Sequence, residues 1–299
     1  MLTTLMALTA LAARPAQQAD TTVPVRSGAR LEVNNFGGEI AVKTWARNAV
    51  RVEASHSSRD QVRIDATEQL VSVKSEGRRG PSRMVDYTIT VPPWMGLSLS
   101  GVYTDIKVDG AQNEVTAETV QGEVTVVGGS GNISLHSVQG AVTLEKARGR
   151  IDLNSVNEDI KGTDIAGDIS AETVNGSVTL EQIESANVEA TTVNGDIAYD
   201  GTVKDGGRYR FSTHNGGLEI AVPEKANVTV AVSTFNGEFN ACFPVQLTRK
   251  TKHRFDFTLG SGSARLELES FDGDIKLCRP GQFHQEKHHK KDKHEDEEE

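Results

Sequence analysis

Thr119-Val120-Gln121-Gly122, Ser137-Val138-Gln139-Gly140, Ser155-Val156-Asn157-Glu158 and Thr173-Val174-Asn175-Gly176 are four copies of one string. The string continues as Thr192-Val193-Asn194-Gly195, Thr213-His214-Asn215-Gly216, Thr234-Phe235-Asn236-Gly237 and Ser270-Phe271-Asp272-Gly273, with a degenerate copy at Gly101-Val102-Tyr103-Thr104. Its last slot recurs every 18 residues from 104 to 176, then after 19, 21, 21 and 36. A period this regular marks a repeat architecture, in which each unit buries its apolar side only against its neighbours.

Working outward, each string is preceded by an alternating run such as Ile133-Ser134-Leu135 or Ile151-Asp152-Leu153 and followed by another such as Val142-Thr143-Leu144 or Val178-Thr179-Leu180. Period-two alternation with β-branched residues predicts half-buried strands, and helical periodicity is absent. Two strands per unit predict an all-β fold: a single-chain parallel β-solenoid with coils of about 18–21 residues. A hexapeptide left-handed helix needs an apolar residue at every sixth position, and Val120, Val126, Asn132, Val138, Leu144, Arg150 breaks that rule. Residues 20–100 show looser alternation and are expected to start and cap the solenoid. Residues 101–280 carry the regular coils, with Val245-Gln246-Leu247 and Phe255-Asp256-Phe257 forming a capping excursion over 243–268.

Parity places Ile151, Leu153 and Ser155 on one side, so the Ser/Thr hydroxyls are expected to point inward and satisfy backbone groups at a bend. That excludes an outward hydroxyl face. Asn157, Asn175, Asn194, Asn215 and Asn236 are expected to form a stacked amide ladder at the turns. After the glycine slot come Asp105, Glu123, Asp159, Asp196, Glu238 and Asp274, which predict an acidic edge. Such an edge could serve calcium capture, paired-carboxylate chemistry or a cationic partner; as a solvated face it resists aggregation. Cys242 and Cys278 lie five residues after Gly237 and Gly273, the same slot of two units. On stacked neighbours their Cα atoms would be about 5 Å apart, within disulfide range, and a disulfide is expected.

The repeats, together with Val91-Pro92-Pro93, Leu97-Ser98-Leu99-Ser100-Gly101, Phe243-Pro244-Val245 and Gly273-Asp274-Ile275-Lys276-Leu277, resemble the bacterial β-strand-repeat "putative adhesin" family, a domain of unknown function. The resemblance covers about residues 25–280. It implies an exported or envelope-associated β-solenoid and carries over no catalytic residue.

Composition is consistent with this. Of 299 residues, Lys and Arg number 32 against 42 Asp and Glu, a net charge of −10, and no basic patch for nucleic acid is visible. Aromatics at 5% leave the core to Val, Ile, Leu and Ala. Residues 1–19 read as a signal peptide, with an uncharged run over 2–13 and small residues at Ala10-Leu11-Ala12. No later segment reaches the ~20 apolar residues of a membrane helix. Residues 281–299 read as a disordered charged tail, whose His284, His288, His289 and His294 offer weak divalent-metal binding; no other cofactor is implied. The expected function is a non-enzymatic scaffold or binding protein of the bacterial envelope, adhesin-like, periplasmic or on the cell surface. Its partner would be an envelope protein or a glycan. The alternative is a polysaccharide-active enzyme using outward carboxylates on a parallel β-helix.

Overall fold

The computed structural model describes residues 17–77 and 84–282, which form strands and turns without a helix. The strands before the regular repeats are β1 (Gln17–Pro24), β2 (Arg30–Thr44), β3 (Ala49–His56), β4 (Asp60–Ala66), β5 (Leu70–Gly77) and β6 (Val85–Val91). Those of the repeats are β7 (Gly96–Ala111), β8 (Val115–Gln121), β9 (Val124–Gly128), β10 (Ser130–Gln139), β11 (Val142–Glu145), β12 (Arg148–Ser155), β13 (Ile160–Thr163), β14 (Ala166–Glu172), β15 (Val178–Asn194), β16 (Ile197–Gly201), β17 (Arg208–Asn215) and β18 (Leu218–Ala221). The last are β19 (Val228–Asn236), β20 (Phe239–Ala241), β21 (Leu247–Lys250), β22 (Arg254–Leu259), β23 (Ala264–Asp272) and β24 (Ile275–Cys278).

Equivalent slots of successive units pair in parallel and in register. Val115, Ile133, Ile151, Ile169, Val188 and Tyr209 form one row of a first ladder. Val124, Val142, Ile160, Val178, Ile197 and Leu218 form one row of a second. Each unit thus contributes one rung to both ladders, with inward side chains at alternate positions, and both rows are buried in one continuous core. Ser and Thr of the string close the inward face of the first ladder.

The sheet is mixed, because its two ends depart from parallel stacking. At the N-terminal end β2 pairs along its length with β7, making a rung across both ladders. Beside it lie β5 on the first ladder and β6 on the second. Antiparallel β4 then covers β5, while β3 and then β1 cover β6. Because β7 crosses residue 100, the expected division at 100/101 falls inside a strand. Residues 1–16 of the expected leader lie outside the described residues, whereas Gln17 to Ala19 begin β1 and pair with His56 to Ala54.

At the C-terminal end, chain order and spatial order part. The rung after β17 and β18 is not β19 and β20 but β23 and β24, which pair with β17 and β18 on one side and with β19 and β20 on the other. The chain leaves one rung vacant, builds the next, covers it with the β21–β22 hairpin antiparallel to β19, and returns to fill the gap. The capping excursion therefore ends before Ala264 rather than at residue 268, since β23 belongs to the ladder.

The uneven steps have one location. The corner joining first to second ladder keeps its length, while insertions enter at the other corner: an extra residue in β15 between Glu184 and Asn187, then 202–207, then 222–227. Buried Ala147, Ile165 and Ile183 fill the interior beside that corner.

Candidate functional site

The constant corner is held by a repeated side-chain bond. In all eight copies the Ser or Thr hydroxyl donates to a carbonyl of the rung beside it. Thr119, Ser137, Ser155 and Thr173 donate to the oxygens of Thr104, Gly122, Gly140 and Glu158 at 2.9, 2.9, 3.3 and 3.1 Å. Thr192, Thr213, Ser270 and Thr234 donate to Gly176, Gly195, Gly216 and Gly273 at 2.8, 2.9, 3.0 and 3.3 Å. The last two acceptors repeat the exchanged rung order. Close approach also dictates glycine here: a Cβ on Gly140 would collide with the Gly122 carbonyl. The inward hydroxyl is the arrangement that strand parity requires.

An inward Ser or Thr turns the following residue outward. Val120, Val138, Val156, Val174, Val193, His214, Phe271 and Phe235 consequently make a row along the corner, about 34 Å long at one rung per 4.7–4.9 Å. Val120 is 48% exposed and Phe235 54%. At its C-terminal end the rings stack: His214 on Phe271 at 4.8 Å, Phe271 on Phe235 at 5.1 Å, and Phe235 on His253 at 4.7 Å, with interplanar angles of 8°, 4° and 14°. Stacking covers the ring faces and leaves their edges outward, so this end offers contact area rather than a platform for a sugar ring. At the other end Phe36 meets Tyr103 edge-on at 5.5 Å.

Beside this ridge run the amides. Asn175 donates to Asn157, Asn194 to Asn175 and Asn215 to Asn194 at 3.1, 2.8 and 2.7 Å. Asn236 does not join them, because the exchanged rung places Asp272 between Asn215 and Asn236.

The acidic edge is exposed and partly structural. The carboxylates of Asp105, Asp159, Asp196 and Asp274 accept the backbone N–H of Glu123, Ser177, Gly217 and Glu238, the same slot one rung on, at 2.9, 2.7, 2.8 and 2.9 Å. The Glu123 and Glu238 side chains, one methylene longer, make no such bond. Lys107 donates to Glu39 at 2.8 Å, and that carboxylate raises the ammonium's pKa above its ordinary value. Among the described residues no three His, Cys, Asp or Glu are grouped to hold a metal ion. His284, His288, His289 and His294 lie outside the described residues.

Cys242, just past the end of β20, and Cys278 of β24 form a disulfide, with Cα atoms 4.8 Å apart. Their rungs are spatial neighbours only because β24 fills the vacant place.

A third surface was not visible in the repeats. The outward face of the first ladder, from β10 to β23, forms an open groove of about 890 Å³. One row of its lining reads Asn132, Arg150, Asp168, Asn187, Arg208, Arg265, and the next Ser134, Asp152, Ser170, Glu189, Arg210, Glu267. Outward positions vary from copy to copy, so a search for recurring types passes over them. The ridge, in contrast, was readable: Ser155 inward obliges Val156 outward.

Among the described residues no helix is long and apolar enough to cross a membrane. No curated protein matches the chain. Among solved structures it is similar to a "putative adhesin" from Bacteroides fragilis NCTC 9343 at 12% identity, covering 87% of this chain and 97% of that one with a TM-score of 0.43. It is also similar to one from Parabacteroides merdae ATCC 43184 at 12% identity, covering 88% and 96% with a TM-score of 0.33. The sequence matches the Toastrack DUF4097 family over residues 16–278, and the chain, with its rungs and constant corner, belongs to that family.

Proposed function

We propose that this protein is a non-enzymatic, adhesin-like binding scaffold of the bacterial envelope, built as a single-chain parallel β-solenoid and exported to the periplasm or cell surface. The observation that carries this reading is the ridge. A chain that sets an apolar side chain at the same outward slot of seven of eight successive rungs, with Val120, Val174, Val193, Phe271 and Phe235 exposed, keeps an apolar strip in water, and such surfaces mark interaction sites. The acidic edge alongside keeps it soluble and favours a partner with an apolar strip and a basic margin. The disulfide fits an oxidising compartment.

The groove supports the alternative of a polysaccharide-active enzyme only weakly. Of its four carboxylates, Asp152 accepts from Asn154, Asp168 from Asn187 and Glu267 from Arg265, which leaves Glu189. Val120→Thr, Val174→Thr and Val193→Thr together should leave the melting temperature unchanged and abolish attachment to bacterial envelope vesicles. Undiminished attachment would contradict the reading.

A further inference from the structure

We infer that the β21–β22 hairpin, which closes the C-terminal end of the first ladder, docks that end of the molecule on the surface of an anionic lipid bilayer through Arg249, Lys250, Lys252 and Arg254. This rests on the reading of the protein as an envelope scaffold and assigns a contact to a surface other than the ridge.

The four cations fall within residues 249–254 and all are exposed, and the hairpin holds one carboxylate, Asp256. Asp256 stands 3.6 Å from Arg249 and 3.1 Å from Arg254, while Lys250 and Lys252 make no ion pair among the described residues. Counted formally, residues 247–259 carry +3. The rung beneath, β19 with β20, holds no charged side chain, and Glu238 between those strands brings the whole cap, residues 228–259, to +2. Residues 92–227, in contrast, hold 20 Asp and Glu against 9 Lys and Arg, a net charge of −11. Charge on an edge strand guards it against pairing with another sheet, and either sign serves. That role leaves unexplained why all four are cations in a chain whose net charge is −10.

Their distribution suits a broad surface rather than a small anion. Strand alternation sets Arg249 and Arg254 with Asp256 on the outward face and Lys250 with Phe255 on the other. Lys252 lies in the turn that the Thr251 N–H closes on the Arg254 carbonyl. Charges that surround a tip converge on no single small ligand. The acidic flanks repel any polyanion that would run alongside the rungs, so an anionic surface is met end-on. Leu247, 37% exposed, and half-buried Phe243 and Val245 lie where the chain enters the hairpin and supply apolar contact at a headgroup boundary. Attraction of a few cations to such a surface falls off within a Debye length. At physiological salt the cap therefore orients the molecule and does not hold it alone.

The test is co-sedimentation of the full protein with lipid-only vesicles, either phosphatidylglycerol and phosphatidylcholine in equal parts or phosphatidylcholine alone, at an ionic strength of about 0.01 M. The mixed vesicles should retain the protein, phosphatidylcholine alone should not, and raising the ionic strength to about 0.15 M should release it. K250Q/K252Q should lose affinity by about tenfold or more. R30Q/R59Q, an equal charge change in the N-terminal rungs, should bind as the native protein does, and so should the combined Val120→Thr, Val174→Thr and Val193→Thr variant. Absence of binding to the mixed vesicles, or equal binding of K250Q/K252Q and native protein, would overturn the inference and leave the ridge reading standing. Self-association without vesicles, lost in K250Q/K252Q, would assign the cap to the acidic edge of a second copy and overturn it. Binding seen only in E295Q/D296N/E297Q/E298Q/E299Q would assign the cap to the chain's own acidic run and overturn it likewise.

Discussion

The two corners of each rung differ in what ties them to the next. At the constant corner a buried hydroxyl bonds a neighbouring carbonyl, the glycine slot packs on the backbone below, and an aspartate often caps an N–H above. At the variable corner Gly128, Lys146, Asp164 and Gln182 repeat a left-handed turn at φ of 97°, 55°, 54° and 56°, after which insertions begin. Repeat length is therefore set where the same side-chain bond recurs in every rung. The other corner absorbs change, and the ridge sits on the corner that cannot change.

The largest effect expected from this contrast is that of a one-residue insertion. An alanine between Gln139 and Gly140 should cost more than ~4 kcal/mol, because it breaks the corner bonds and throws β11 out of register. The same insertion between Asp205 and Gly206 should cost less than ~0.6 kcal/mol, a small change in loop closure. Urea midpoints measure both, and equal costs would break the contrast.

Reduction of Cys242–Cys278 comes next. The bond closes a separation of 36 residues between adjacent rungs, and its loss should lower stability by about 2–4 kcal/mol. Calorimetry with and without dithiothreitol checks this, and an unchanged melting temperature would count against it. Ser137→Ala removes one corner donor and leaves the Gly122 carbonyl short of a partner, at about 1–2 kcal/mol. Lys146→Gly should be the mildest. Relief of the left-handed backbone, about 1 kcal/mol, is offset by the entropy glycine loses on folding, so the net change should stay within ~0.5 kcal/mol.

Much of this was legible in the chain. The 18-residue step gave the rungs, alternation gave the strands, and the parity of Ile151, Leu153 and Ser155 gave the inward hydroxyl. The order of the last rungs was not legible, because Gly237 and Gly273 head equivalent strings and either could stack on Gly216. Long-range pairing decides between them, and local sequence does not register it. The place of Asn236 in the amide row failed for the same reason. The bonding of Asp105 and Asp159 to the next rung was hidden because an exposed acidic slot and a capping aspartate look alike in sequence. The groove on the first ladder was missed because outward positions carry no period.

Stacking by spatial rather than chain order is tested most directly by paired cysteines in the outward Asn/Asp slot. Asn215→Cys with Asp272→Cys places the two on adjacent rungs, whereas Asn215→Cys with Asn236→Cys places them two rungs apart, near 10 Å and beyond disulfide reach. Under mild oxidation, peptide mapping should find the 215–272 bridge in high yield and no 215–236 bridge. A 215–236 bridge formed readily, with 215–272 absent, would contradict the fold's C-terminal order and with it the position of every ridge residue beyond His214.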